Sequence, residues 1–157
     1  MHNCLVGSEM CIRDSMRPDL FNGVIAGVPF VDVLNTLNDT SLPLTIQEYD
    51  QWGDPNDGIF FRYIKKYCPY YNIKENKYPN FLITGGINDP RVSYAEPLKF
   101  GIKLKEYNIR NDNLILIKID NDSGHFGYFD RYKYLEEVAF KYSFVFKIYN
   151  IIYELSQ

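Results

Sequence analysis

Short, unbroken apolar runs separate longer polar stretches along this chain, and three of the runs have the length of buried strands. Val24-Ile25-Ala26-Gly27-Val28 is the first, closed by Pro29, which cannot donate to a ladder. Phe81-Leu82-Ile83-Thr84 is the second, and Gly85-Gly86 is expected to stop it. Leu114-Ile115-Leu116-Ile117, with Ile119, is the third. Apolar runs without alternation suit strands covered on both faces, as in a parallel sheet. Arg17-Pro18-Asp19-Leu20-Phe21 reads as the end of a helix and a turn. Residues 35–58 are rich in Asn, Asp, Thr, Pro and Gly and read as a long excursion, the kind of ordered loop that serves function in a compact domain. Ile59 to Tyr67 predicts a short helix. Pro97 stands near the start of another, in which Ala95, Leu98 and Ile102 recur at i, i+3 and i+7 as one apolar face. Leu135, Val138, Ala139, Tyr142, Phe146 and Tyr149 predict a last helix within residues 131–151, aromatic on more than one face and so expected to pack on a sheet. Strand, excursion with helix, strand, helix, strand, helix is an α/β order, with right-handed crossovers.

Composition narrows the picture. The 157 residues are enough for one domain, and 46% hydrophobic with 17% aromatic content supports a packed core rather than disorder. A net charge of -3 offers nothing to attract nucleic acid. No apolar run approaches the ~20 residues of a membrane span, so no membrane partner is expected. Cys4, Cys11 and Cys68 are spaced for neither a disulfide framework nor a zinc site, which makes a reducing, cytoplasmic compartment the default expectation.

The first residues have a separate explanation. Leu5-Val6-Gly7-Ser8-Glu9-Met10-Cys11-Ile12-Arg13-Asp14-Ser15 is the in-frame translation of a transposase-type sequencing adapter. Residues 1–15 are therefore expected to be foreign to the natural chain, and His2, Cys4, Ser8 and Cys11 are not candidates for chemistry.

Two strand ends carry groups that could react. Thr84-Gly85-Gly86-Ile87-Asn88-Asp89-Pro90-Arg91-Val92 follows the second strand, and Asp120-Asn121-Asp122-Ser123-Gly124-His125-Phe126-Gly127 follows the third. In open parallel sheets function gathers past the carboxyl ends of strands. An acid after one strand and a histidine after the next is the second half of a serine–acid–histidine triad in its α/β-hydrolase order. Histidine takes the serine proton and returns it to the leaving amine, and the carboxylate fixes its tautomer and stabilises the imidazolium. Two ordinary readings stand beside this one. Asp89, after Gly-Gly and before Pro, is equally a turn aspartate, and His125 between glycines is equally an exposed loop residue. Spacing alone leaves both readings open.

The wording of the segments goes further. Met16-Arg17-Pro18-Asp19-Leu20-Phe21 with Val28-Pro29-Phe30-Val31-Asp32-Val33, then Pro43-Leu44-Thr45, then Glu48-Tyr49-Asp50-Gln51-Trp52-Gly53-Asp54-Pro55 come first. Asp89-Pro90-Arg91-Val92-Ser93-Tyr94-Ala95-Glu96-Pro97 and Ser123-Gly124-His125-Phe126-Gly127 follow. In this order they resemble the prolyl oligopeptidase family of serine peptidases, in particular its members that cleave after Arg or Lys. The resemblance runs from Met16 to Phe146. It implies the C-terminal portion of an α/β-hydrolase fold, a parallel sheet with flanking helices, and a peptidase acting on short basic peptides without metal or organic cofactor. It implies Asp89 as triad acid and His125 as general base. It implies Arg91 as a ligand of the substrate's backbone carbonyl, against the alternative of a surface arginine. Glu48 and Asp50 become an acidic pair for the basic side chain, against the alternative of a solvated loop.

Three positions depart from the family's wording. Asp50 replaces a Glu and shortens its reach, Phe126 stands where Gly is common, and Gly27 replaces a polar residue. The family's Gly-x-Ser-x-Gly elbow belongs shortly upstream of Met16, where the adapter-like residues stand, and its N-terminal β-propeller would lie further upstream. Residues 16–157 are thus expected to be a partial catalytic domain lacking its nucleophile. Another α/β-hydrolase, such as an acyl-peptide hydrolase or an esterase, and a non-catalytic α/β binding module are the alternatives.

Overall fold

A computed structural model describes residues 14–42, 44–110, 112–125, 127, 128 and 130–151. His2, Cys4, Ser8, Cys11, Pro43 and Phe126 lie outside them. Of the adapter-like segment, Asp14 and Ser15 are described, and both are buried. The three apolar runs form one parallel sheet of β1 (Gly23–Gly27), β2 (Asn80–Gly86) and β3 (Ile115–Asp120), in that spatial order. β2 is central: Ile83 pairs with Ala26 on one side and Ile117 on the other. It is buried from Phe81 through Gly86, which is why its sequence shows no polar alternation.

The strand ends differ from expectation in two ways. Val28 turns out of β1 with a positive φ of 47°, so the strand stops before it. Gly85 and Gly86 do not stop β2; they extend its ladder to Ile119 and Asp120. Bare backbone is needed there because a Cβ on Gly85 would meet Pro97 at 2.7 Å, and one on Gly86 would meet the Ser123 carbonyl oxygen at 2.3 Å. Upstream, the Arg17–Phe21 stretch is a single 3₁₀ turn, Pro18–Leu20.

The expected excursion is largely helical. It holds α1 (Val33–Asn38) and α2 (Thr45–Trp52), followed by α3 (Gly58–Tyr67) and the single turn α4 (Pro69–Asn72). Val33, Leu34 and Leu37 of α1 close over Ile64 and Cys68 to make a small second core. Trp52 sits between Phe30 and Tyr67, each ring 6.0 Å away. Asp57 caps α3 by accepting the Ile59 N–H at 2.7 Å. The main core lies between the sheet and α5 (Ala95–Tyr107), with Phe81 edge-on to Phe100 and Ile83, Leu104 and Tyr78 around them. The last helix, α6 (Arg131–Ile148), starts at an Asp130 cap and packs on β1 and β2, burying Phe144. No helix among the described residues is long and apolar enough to cross a membrane.

The buried face of α5 is not the one read from Ala95, Leu98 and Ile102. Ala95 and Ile102 are exposed, and the inward positions are Pro97, Phe100, Gly101 and Leu104. Gly101 explains the rotation. A Cβ there would lie 2.6 Å from Ile117 Cγ1 and 3.0 Å from Ile83 Cδ1, so the helix meets the sheet through this bare position. Pro97, Phe100 and Leu104 have the same i, i+3, i+7 spacing as Ala95, Leu98 and Ile102, so periodicity alone does not choose between the two stripes.

A buried carboxylate fastens α5 to the segment after β1. Glu96 Oε2 accepts the main-chain N–H groups of Val31 and Asp32, each at 2.9 Å, and Oε1 accepts the Thr36 hydroxyl at 2.5 Å. Asp32, itself wholly buried, pairs with Lys99 on the next turn of α5 and accepts two bonds from the Asn35 amide. Burial pushes the Glu96 carboxyl above the usual carboxylate range, against the pull of its three donors.

Two stability measurements follow. Gly101→Ala gains up to about 1 kcal/mol in helix propensity, but crowding Ile117 and Ile83 costs about 1–3 kcal/mol. Urea melting is expected to show net loss; a stabilised variant would remove the close-approach account. Because the folded-state pKa of Glu96 is raised, the stability linked to its bound proton is complete below about pH 4.3 and is lost as pH rises through the shifted value. Glu96→Gln keeps the acceptor for both main-chain N–H groups without a charge. The stability gap between the two proteins should therefore move in favour of the Gln variant as pH rises from 4 toward neutrality, read by melts at a series of pH values. A gap that is flat with pH is the contrary result.

Candidate active site

The carboxyl ends of β2 and β3 are neighbours because the two strands pair in parallel up to Gly86 and Asp120. Both segments turn immediately. The Asp89 N–H returns to the Gly86 carbonyl at 3.3 Å, closing a tight turn after β2. On the other side, the Gly127 N–H reaches the Gly124 carbonyl at 3.1 Å, so His125 is presented from a tight turn between two glycines. Gly127 has a φ of 81°, a conformation that favours glycine.

These turns bring Asp89 and His125 together. His125 Nδ1 lies 2.9 Å from Asp89 Oδ2. The other carboxylate oxygen, Oδ1, accepts the main-chain N–H groups of Arg91 at 2.8 Å and Val92 at 3.0 Å. The Asp89 side chain is completely covered, whereas that of His125 retains 22% exposure. The acid is thus locked in orientation by its own turn, and the imidazole is bonded to it through Nδ1 while remaining partly exposed. With Nδ1 facing a carboxylate, Nδ1 carries the proton and Nε2 is the basic nitrogen. This arrangement can accept a proton at Nε2 and stabilise the resulting cation.

The loops are also tied to each other and to their strands. Ile87 N–H donates to the Asp120 carbonyl at 2.9 Å and Asn88 N–H to the Ser123 carbonyl at 3.3 Å. The Asn88 side-chain amide donates to the Asn121 carbonyl at 2.9 Å. At the base of the histidine loop, Lys118 pairs with Asp120 at 2.6 Å. Tyr128 donates its hydroxyl to the same carboxylate, which holds the phenol up to about 12. Asn88 and Asp120 stand in the two strand-end segments but, like Tyr128, have no role assigned from the sequence. Their one signal is proximity to Asp89 and His125, and proximity does not say which way a polar side chain turns.

The remaining sequence-derived site residues are placed less uniformly. Arg91 joins the acid turn through its main-chain N–H, and its side chain is exposed. Glu48 and Asp50 sit on α2, which packs on α1 rather than on the strand ends. Two residues apart on a helix, they point about 200° from one another, so they do not converge on one point. Glu48 is half-buried, and burial raises its carboxyl above the usual range, while Asp50 is exposed. A cavity of about 750 Å³ lies at the opposite end of the sheet, lined by Met16, Phe21, Asn76, Lys77 and Ile109 among others. It opens at the amino ends of the strands, away from Asp89 and His125.

The chain is similar in sequence and fold to known proteins. Residues 8–151 match the model of the prolyl oligopeptidase family. Protease 2 of Moraxella lacunata is 44% identical over 131 residues, 83% of this chain and 19% of the relative. Dipeptidyl aminopeptidase BI of Pseudoxanthomonas mexicana is 33% identical over 139 residues, 88% of this chain and 19% of the relative. Oligopeptidase B of Trypanosoma brucei, solved in a closed form with covalently bound antipain, superimposes with a TM-score of 0.87 at 45% identity over 96% of this chain and 21% of that one. Oligopeptidase B of Leishmania major gives 0.86 at 46% identity over 90% of this chain and 20% of that one. The chain therefore spans about a fifth of the length of these relatives. With its matched span, its parallel sheet and its relatives in agreement, the chain belongs to the prolyl oligopeptidase family.

Proposed function

We propose that this chain is the C-terminal part of the catalytic domain of a serine endopeptidase that hydrolyses short peptides after Arg or Lys. The observation that carries the reading is the 2.9 Å bond between His125 Nδ1 and the covered carboxylate of Asp89. Asp89 is the triad acid and His125 the general base. The nucleophile is a serine upstream of Met16, in sequence replaced here by residues 1–15. His125 Nε2 takes the proton from the serine hydroxyl as its oxygen attacks the scissile carbonyl, and the same proton passes to the departing amine. The acyl-enzyme is then opened by water, deprotonated at the same nitrogen. Asp89 stabilises the imidazolium in both steps without accepting the proton, and its two main-chain donors hold it in place. No metal or organic cofactor enters this scheme.

Specificity for basic residues rests on the acidic residues of α2. Glu48, half-buried and unfavourable as an unpaired anion, gains most from a cationic side chain beside it. Asp50 faces another direction and would meet a basic group from a separate side. Arg91, exposed beside the acid turn, is the donor for the substrate's backbone carbonyl. The match of five sequence segments in family order supports this assignment, as does likeness to the antipain-bound oligopeptidase B of Trypanosoma brucei.

Three outcomes test the reading. The 157-residue chain should leave a fluorogenic Arg-containing peptide uncut, since without the nucleophile no acyl-enzyme forms; steady hydrolysis abolished by His125→Ala would contradict it. In the protein extended upstream through its natural reading frame, Asp89→Asn should lower kcat by about 10⁴-fold. Retention of near-full turnover there removes Asp89 from the triad. In the same protein, Glu48→Gln should reduce kcat/KM for an Arg substrate about tenfold or more, with a Leu substrate little affected. Equal loss on both substrates would reject Glu48 as the basic-side-chain contact, and preference for Pro or for an acylated N-terminus would favour a different family specificity.

A further inference from the structure

The acid and the base lie on separate loops, and the bond between them is only as well aligned as the loops are. Main-chain bonds set part of that alignment: Ile87 to Asp120 at 2.9 Å and Asn88 to Ser123 at 3.3 Å. The first lies at the strand ends, and the second is long. Between them stands one side-chain bond, from Asn88 Nδ2 to the carbonyl oxygen of Asn121, at 2.9 Å. Asn88 precedes Asp89 directly, and Asn121 lies four residues before His125. The bond thus crosses from the root of the acid turn to the root of the histidine loop. Gly86 makes this possible, because any Cβ there would displace Ser123 and lift the histidine loop away.

We propose that Asn88 is a positioning residue of the peptidase site: by donating its side-chain amide to the Asn121 carbonyl, it fixes the loop carrying His125 against the loop carrying Asp89. This rests on the peptidase reading above. Asn88 touches neither the imidazole nor the Asp89 carboxylate in this scheme, so it acts through the loop and not on the substrate. The chemistry of the position is specific. A donor must face a carbonyl oxygen, and asparagine supplies one at the reach of a short side chain. Aspartate has the same size but no donor, and would set a negative charge against that oxygen. Alanine leaves the carbonyl to water. The main-chain bonds keep the loops folded in either variant, so the expected loss lies in alignment and not in assembly.

The experiment uses the protein extended upstream through its natural reading frame, with rates expressed per serine counted by a stoichiometric acylating titrant, so that unfolded molecules do not contribute. Asn88→Ala and Asn88→Asp are each expected to lower kcat between about tenfold and a hundredfold, with KM little changed. The downfield proton resonance of His125 Nδ1–H should broaden or vanish in both variants, while the melting temperature stays close to that of the unsubstituted protein. Full kcat in the Asp variant overturns the proposal, because shape without a donor would then suffice. So does a loss carried by KM with the Nδ1–H resonance intact. Failure of the unsubstituted protein to react with the acylating titrant overturns the underlying peptidase reading instead, and so distinguishes the two.

Discussion

Much of this structure depends on one buried carboxylate. Glu96 accepts the main-chain N–H groups of Val31 and Asp32 and the hydroxyl of Thr36, and so joins α5 to the chain leaving β1. Everything between β1 and β2, four helices with their own small core, hangs from that junction. The acid turn lies just before it, since Glu96 follows Asp89 by seven residues. Two unpaired main-chain N–H groups in the interior would each cost about 1–3 kcal/mol, comparable with a large part of a domain's net stability. The carboxylate is disfavoured by its own burial, yet it is the group that satisfies both. The Asp32–Lys99 pair on the next turn repeats the attachment with opposite charges.

A second constraint is the closeness of backbone at glycines. Gly101 lets α5 approach Ile83 and Ile117, and Gly85 and Gly86 let Pro97 and Ser123 press on the end of β2. The helix, the acid turn and the histidine loop are therefore stacked on the same few residues of the central strand. Parallel pairing of β2 with β3 puts the two loop roots side by side, and the tight turns after them set the 2.9 Å contact of Asp89 with His125. The site is a product of strand order first and of side-chain chemistry second.

What could be read in the sequence follows from where the signal is carried. All three strands were legible as unbroken apolar runs, but only β2 is buried on both faces, as at Phe81 to Thr84, while β1 leaves Ile25 exposed. Asp89 and His125 were legible as a pair because their segments follow consecutive strands, although spacing alone did not separate a catalytic pair from two turn residues. The face of α5 was misread because its buried stripe, Pro97, Phe100 and Leu104, has the same spacing as Ala95, Leu98 and Ile102, and the inward Gly101 and Glu96 that distinguish it carry no apolar signal. The same holds at Gly85-Gly86, read as a stop and found inside the strand. In the excursion, α1 and α2 went unseen because polar residues, Asn35, Thr36 and Asn38 in the first and Gln47, Glu48 and Asp50 in the second, leave each helix only a narrow apolar side. Asn88 was beyond sequence reasoning, since its meaning is a bond to a main-chain oxygen more than thirty residues away.

The acid, the base and the strands that present them all fall within residues 80–128. Synthesis runs from the amino end, so the upstream serine of the proposed reading would leave the ribosome well before this stretch does. Until β3 has emerged and paired with β2, that serine would be an ordinary alcohol with no imidazole to take its proton. On the proposed peptidase reading, an acid and a base encoded after the nucleophile would delay proteolytic competence until β3 has paired with β2.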